Sequence, residues 1–363
     1  MDAARGVALV AMMAVHVLPG TDADGAVTIT DTIVRGRASA AFAVLAGVAL
    51  SLAYARGAPL RSVAWVGAGA GLTVRCVLIG VLGLILGELD SGVAVILTYY
   101  AVLFILAVPL LALRAPALTA IAAPFCLLAP VASQLLRTNM APKRGPSPAV
   151  SDLAEPGTLA AEVALTGYYP VLVWTTYLCL GLAVGRLRLT SDRVAAGLAG
   201  VGAVLAFGSA LISQWLVGRG VGSGLLPSNA DEVSFSGTVP TDTWWWLAVD
   251  SPHSGTPLDL AHTSGTALLL LGALLLVAGL ASRLLLPLTR VGIMPLTMYS
   301  AHVVALAQGY GPDDPEQLYV LHVAVTVAVA MAWRSWHARG PLEQLVSWPS
   351  RATSRVVSGQ RIG

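Results

Sequence analysis

The chain has 363 residues, 56% of them hydrophobic and only 11% charged, with a formal net charge of +2 and a mean hydropathy of +0.77. That balance excludes an ordinary soluble domain and places the chain among integral membrane proteins. A net charge so near zero gives no electrostatic footprint for nucleic acid, and no nucleic-acid partner is expected.

Windows of about 20 residues, the length that crosses a bilayer as a helix, give around ten apolar spans. They run at 3–19, 38–55, 66–87, 92–112, 117–136, 166–186, 194–217, 261–281, 291–308 and 318–334. The expected fold class is therefore all-α, a polytopic protein of about ten transmembrane helices. The first span lacks a small-residue cleavage site that would mark a secretory signal. It is short, and Met1 stands almost at the membrane, so a native start further upstream is expected.

Loop charges set an orientation, because Lys and Arg concentrate on the cytoplasmic side. With the amino terminus inside, one set of turns holds Arg56, Arg61, Arg114, Arg186, Arg188, Arg193, Arg283, Arg290, Arg334 and Arg339. The other set holds most acids, among them Asp22, Asp31, Glu88, Asp152, Asp250, Asp259, Asp314 and Glu316. Both termini are then cytoplasmic. A membrane domain over 1–334 is followed by a basic tail over 335–363, whose Arg351, Arg355 and Arg361 are expected against anionic lipid headgroups. Two extracytoplasmic loops, about 137–165 and 218–260, are long. The second carries Trp244, Trp245 and Trp246, which read equally as an interfacial anchor or as a stacking surface for a ligand. Cys76, Cys126 and Cys179 sit singly inside apolar spans and read as small core residues. Glycine-rich runs such as "VGAGAGLTV" and "GLAGVGAV" report close helix packing. No internal repeat is evident, which disfavours inverted-repeat transporters.

The first span, "RGVALVAMMAVH", opens on a permanent cation and ends on an imidazole. Eleven residues advance a helix by about three turns and 16 Å, so Arg5 and His16 share one face, with Asp2 near Arg5. Arg5 alone reads as a snorkelling anchor, and His16 alone as a hydrogen-bonded interhelical polar residue. Together on one face they point to a polar path through the membrane, with a base of suitable strength near its outer end.

At "DAARGVALVAMMAVHVLPG" and "GRASAAFAVLAGVALSLA" the chain resembles the transmembrane acyltransferase superfamily, specifically bacterial relatives of heparan-alpha-glucosaminide N-acetyltransferase. "LDSGVAVILTYYAVLFILAVPLL", "TGYYPVLVWTTYLCLGLAVGRL", "PHSGTPLDLAHTSGTALLLLG", "LTRVGIMPLTMYSAHVV" and "ARGPLEQLV" are similar to the same group. The Arg-x10-His spacing also resembles a separate membrane acyltransferase family of bacterial surface polysaccharides, in which that His is the base. One departure stands out. In the lysosomal enzyme the catalytic histidine lies in the loop after the first helix, whereas the loop 17–37 here has none, and only His16 is near.

The resemblance implies transfer of an acyl group from cytoplasmic acetyl-CoA, or another acyl-CoA, to an extracytoplasmic glycan, glycolipid or amine at a bacterial plasma membrane. Arg5, Arg56, Arg61 and Arg75 would meet the donor's phosphates, although Arg56 and Arg61 also serve topology alone. Arg75 lies deep in "GLTVRCVLIG", where an unpaired cation is costly. His16 would take the acceptor's proton, and Asp31, Arg35 and Arg37 would orient base or acceptor. Tyr168, Tyr169 and Trp174 would stack on a sugar or form an aromatic belt. His302 matches His16 in depth but also reads as a buried hydrogen-bonding residue; His253 and His262 flank Asp259 without zinc-like spacing, and no metal is expected. His253 and His302 are assigned to the acceptor. His322 shows no evident partner, and His337 lies in the tail. Membrane lipids and possible self-association complete the expected partners. The competing functions are a transporter or flippase of a small solute or lipid-linked sugar, and an inactive membrane scaffold.

Overall fold

The computed structural model describes residues 1–54, 62–140, 145–230, 233 and 235–359. Among these it is all-helical, and the nearest approach to a strand is one antiparallel bridge between Thr21 and Val27. Fourteen α-helices follow in order: α1 Asp2–Val17, α2 Ile29–Val34, α3 Arg37–Tyr54, α4 Val63–Gly87, α5 Leu97–Leu110, α6 Ala115–Arg137, α7 Pro156–Ala161, α8 Val171–Val184, α9 Asp192–Gly222, α10 Pro257–Val277, α11 Leu286–Ile293, α12 Pro295–Ala307, α13 Pro315–Trp336 and α14 Pro341–Val357. By length and composition six of the described segments can cross a membrane, or seven if the bent pair Pro156–Thr166 and Val171–Val184 counts as one span. The protein is thus multi-pass, with α5 and α12 as shorter apolar helices.

Two expected spans have a different shape. The run expected at 291–308 is split at Met294, where Pro295 opens α12. Proline at the first helical position needs no amide partner, and it biases the residue before it away from helical geometry. Met294 accordingly sits at φ −127° and ψ 49°. The span expected at 166–186 is helical only over α8, Val171–Val184, which lies at 54° to the preceding segment Pro156–Thr166, whose π-helical turn at Glu162–Thr166 ends at Gly167. A side chain at Gly167 would collide with the Tyr99 hydroxyl and the Glu162 carbonyl.

The bundle packs α1 against α3, α11, α12 and α13, α3 against α8, α4 against α5, α6 against α8 and α9 against α10. Its core gathers Leu9, Met13, Val44, Leu72, Tyr99, Leu103, Leu178, Leu182, Val291 and Val303. Glycine permits the tightest crossing: α11 lies on α1 where Gly6 meets the Leu288 backbone and Gly292 meets that of Asp2. The three cysteines are free.

The C-terminal helix α14 packs on α4 and α12, and the tail expected only against headgroups has this second contact. Gly67 and Gly71 of α4 face the Ser354 and Ser350 carbonyls of α14, where an added Cβ would lie 2.6 and 2.5 Å away. Arg355 is exposed, and Arg361 is outside the described residues. The long loop after α9 has its own small core of Leu226, Phe235, Val239, Trp246 and Val249. Within the Trp run, Trp246 is buried there and donates to Asp242 at 2.9 Å, while Trp244 is 55% exposed. Arg137 ties α6 to this loop by donating to the Val239 carbonyl at 2.9 Å.

Candidate functional site

A cavity of about 650 Å³ opens between α1, α3, α4, α5, α12 and α14. Its wall divides by chemistry. Arg5 near the start of α1, Arg75 of α4, and Arg339, Glu343, Ser347, Ser350 and Arg351 from α14 and its approach supply the polar part. Met12, Phe42, Leu50, Leu72, Ile79, Tyr100, Phe104 and Tyr299 supply the apolar part. Four guanidinium groups on one cavity make an anion-binding surface, because arginine holds its charge permanently and pairs bidentately with phosphate. Facing a cavity also answers how Arg75 stands in an apolar helix: polar space replaces the missing partner.

Arg5 forms an i,i+3 ion pair with Asp2 at 3.1 Å and reaches the Gly292 carbonyl at 3.4 Å. Arg56 and Arg61, the other cations expected here, lie outside the described residues. Arg339 and Arg351 are the residues sequence reasoning missed. Glu343 holds α14 in place. Its Oε1 accepts from the Leu296 and Thr297 amides at 2.7 and 3.2 Å, and its Oε2 accepts from the Thr297 hydroxyl at 2.6 Å. α12 lacks a side-chain cap of its own at Met294, so a carboxylate from another helix satisfies its first free amides, where the helix dipole favours negative charge.

At the other end of α1 the helix stops at Leu18, which is extended at φ −79° and ψ 145° before Pro19. His16 therefore sits in the last turn. Its Nδ1 lies 3.1 Å from Nε2 of His302 on α12, with the two rings stacked at 5.3 Å. His302 in turn places Nδ1 2.7 Å from Nδ1 of His322 on α13. The structure thus gives His322 the partner that the sequence did not suggest, and joins three of the six histidines in series. The cavity reaches Met12, one turn before His16 on α1, and Tyr299, whose ring stands edge-on to His16 at 6.5 Å. The Tyr299 hydroxyl accepts from the Ile96 amide at 3.4 Å.

The remaining expected site residues fall into two neighbouring groups. Asp31 pairs with Arg35 one turn on, not with an imidazole. Arg37 donates to His262 Nε2 at 3.4 Å, and His262 Nδ1 meets Asp250 at 2.8 Å. His262 and Asp250 are thus partners of a residue expected to bind the acceptor. Thr256 caps α10, its hydroxyl accepting from the Asp259 amide at 3.1 Å, and the Asp259 carboxylate accepts from the Gly255 amide at 2.9 Å.

Tyr168, Tyr169, Trp174 and His253 do come together. The His253 ring lies 4.7 Å from Tyr168 and 5.7 Å from Tyr169, and Tyr169 packs edge-on to Trp174 at 5.0 Å. Tyr169 and Trp174 are buried, while Tyr168 and His253 are half-buried. His253 adopts a left-handed backbone, φ 57°, uncommon for a residue with a side chain. Trp174 also stands 6.4 Å from Tyr100 on the cavity wall. Among the described residues no group of three or more His, Cys, Asp or Glu is placed to hold a metal ion.

Comparison with known proteins gives a match over residues 1–215 to the sequence family described as heparan-alpha-glucosaminide N-acetyltransferase, catalytic. No curated protein matches the chain.

Proposed function

The chain belongs to the heparan-alpha-glucosaminide N-acetyltransferase catalytic family, and we propose that its cavity binds acetyl-CoA from the cytoplasm for transfer to an extracytoplasmic glycan, glycolipid or amine. The observation that carries this reading is the cavity itself, with Arg5, Arg75, Arg339 and Arg351 on its wall and Tyr299 between it and His16.

In this reading ten helices cross a bacterial plasma membrane: α1, α3, α4, α5, α6, α8, α9, α10, α12 and α13. Both termini are cytoplasmic, with 1–334 as the membrane domain and 335–363 as a tail whose helix α14 closes the inner face. The donor's phosphates meet the arginines, and its apolar arm runs along Phe42, Leu72 and Phe104. The thioester then lies near Tyr299. The acceptor enters from the opposite side, past Tyr168, Tyr169, Trp174 and His253, with Arg37 and the Asp31–Arg35 pair at its polar groups.

The chemistry is acyl transfer with general-base assistance. The acceptor nitrogen or oxygen attacks the thioester carbonyl carbon while His16 Nε2 takes its proton. The oxyanion collapses, the carbon–sulfur bond breaks, and the CoA thiolate leaves with the bonding pair. Because the Tyr299 hydroxyl accepts from Ile96, its own proton is free to donate to the developing oxyanion. His302 contacts His16 and acts through it.

Calorimetry of acetyl-CoA binding to the purified protein tests the reading, with Arg75→Ala and His16→Ala alongside. The expected result is saturable binding, weakened at least about tenfold in Arg75→Ala, as loss of a charge-assisted phosphate contact requires, and retained in His16→Ala. Absence of binding to the wild type across several acyl-CoAs overturns it.

A further inference from the structure

His16, His302 and His322 belong to three different helices, α1, α12 and α13, yet their rings meet nitrogen to nitrogen at 3.1 and 2.7 Å. His302 and His322 are only 4% and 8% exposed. A neutral imidazole carries one N–H and one lone pair. His302 is hydrogen-bonded through both nitrogens, so when neutral it donates through one and accepts through the other. The whole series therefore has just two neutral arrangements.

In the first, His16 Nδ1–H donates to His302 Nε2, His302 Nδ1–H donates to His322 Nδ1, and His322 carries its proton on Nε2. His16 Nε2 is then a bare lone pair, the form needed in a base. In the second, every proton has moved one nitrogen along, so that His16 Nε2 is protonated and His322 Nε2 is bare. Passing from the first to the second needs a proton to enter at His16 Nε2 and another to leave from His322 Nε2. No ring has to move during that single passage, and no charge stays fixed on one buried imidazole; return to the first arrangement before the next turnover requires each ring to break its N–H···N contact and exchange its proton with water.

We propose that these three histidines are a proton wire, carrying the proton released in acyl transfer from His16 to the acidic end of α13. That end bears exposed Asp313, Asp314 and Glu316, and Glu316 lies about 9 Å along the helix axis from His322. The proposal rests on the reading of His16 as the base. Proton balance gives the wire its purpose. An amine acceptor is largely an ammonium ion near neutral pH, so ammonium and thioester yield amide, CoA thiol and one free proton. A hydroxyl acceptor yields ester and thiol with none left over. The wire serves transfer to an amine, where each turnover must discharge a proton. His302 and His322 are positioning and conducting residues and touch no substrate.

The test uses the full-length protein in lipid nanodiscs with nitrogen-15-labelled histidine. Nitrogen NMR should find His16 protonated on Nδ1 and not Nε2, with scalar coupling across both N–H···N bonds. His322→Asn is the decisive variant, because its side-chain carbonyl still accepts from His302 Nδ1–H but cannot pass a proton on. With acetyl-CoA and glucosamine as probes, its kcat in dilute non-imidazole buffer should fall at least about tenfold at unchanged KM, and added imidazole should restore it. Wild-type kcat in His322→Asn, missing couplings, or a resting Nε2 proton on His16 would overturn the wire while leaving acetyl transfer intact. Couplings present with no acetylation by the wild type would instead refute the acetyl-transfer reading, and the wire's role with it.

Discussion

Replacing Glu343 by alanine should loosen α14 and weaken the donor site together. The carboxylate takes three hydrogen bonds from α12, two from backbone amides at 2.7 and 3.2 Å and one from the Thr297 hydroxyl at 2.6 Å. Hydrogen bonds to a charged group contribute about 1.5–3 kcal/mol each. At the low end of that range the three total about 4.5 kcal/mol. At 1.4 kcal/mol per decade, the docked helix loses a factor of about a thousand against its undocked form. Glu343→Gln retains an acceptor for the amides but loses the charge and the oxygen facing Thr297, and should cost about 1 kcal/mol. Hydrogen exchange of 341–357, followed by mass spectrometry on the whole protein in nanodiscs, reads the docking equilibrium directly. If acetyl-CoA binds the cavity as proposed, it should slow that exchange in the wild type, since a ligand held by Arg351 of α14 and Arg339 just before it stabilises the docked helix. Exchange within twofold of wild type in Glu343→Ala would refute the argument that this carboxylate fastens the helix.

Three further outcomes follow from the geometry. Gly181→Ala, whose Cβ would run into the Val44 carbonyl at the α3–α8 crossing, should destabilise the protein by about 1–3 kcal/mol. Gly197→Ala, which meets nothing within 4 Å, should stabilise α9 by about 0.5–1 kcal/mol; thermal unfolding of the two variants in one detergent checks the opposite signs. Asp250→Ala removes the carboxylate 2.8 Å from His262 and so loosens the partner of Arg37. Loss of one charged hydrogen bond predicts about a tenfold rise in acceptor KM, with acetyl-CoA affinity unchanged by calorimetry. Tyr299→Phe keeps the cavity wall and removes the hydroxyl proposed as oxyanion donor, which should lower kcat about 10²-fold while leaving donor affinity alone; steady-state kinetics with acetyl-CoA and glucosamine decides it.

What the sequence revealed and what it hid differ in kind. The Arg5–His16 face is a property of one helix, and periodicity alone exposed it. Arg75 stood out because a cation in an apolar run has few acceptable surroundings, and it does face the cavity. The partnership of His302 with His322 could not be read, since it joins two helices whose mutual rotation is set by tertiary packing. Arg339 and Arg351 were hidden by an assumption: a basic amphipathic segment suggests a lipid surface, and α14 instead turns its small residues to α4. A signal for that contact was present. Gly67 and Gly71 are four apart on α4, as are Ser350 and Ser354 on α14, the spacing that lets two helices touch along one stripe. The break at Met294 had its own signal in Pro295.

The family match ends at residue 215, but the site does not. Residues within it supply Arg5, Arg75, His16 and Tyr100. Those beyond it supply Tyr299, Glu343, Arg339 and Arg351 to the cavity, and His302 and His322 to the histidine series. The two groups meet along α1, which packs on α11, α12 and α13 as well as on α3. A helix in that position transmits any shift of the second half to both of its polar ends at once. Glycine at 6 and 292 leaves the α1–α11 contact no soft side chain to absorb displacement. The second half is therefore a structural part of the same site: it fixes where His16 stands relative to the cavity and supplies the two histidines in series with it.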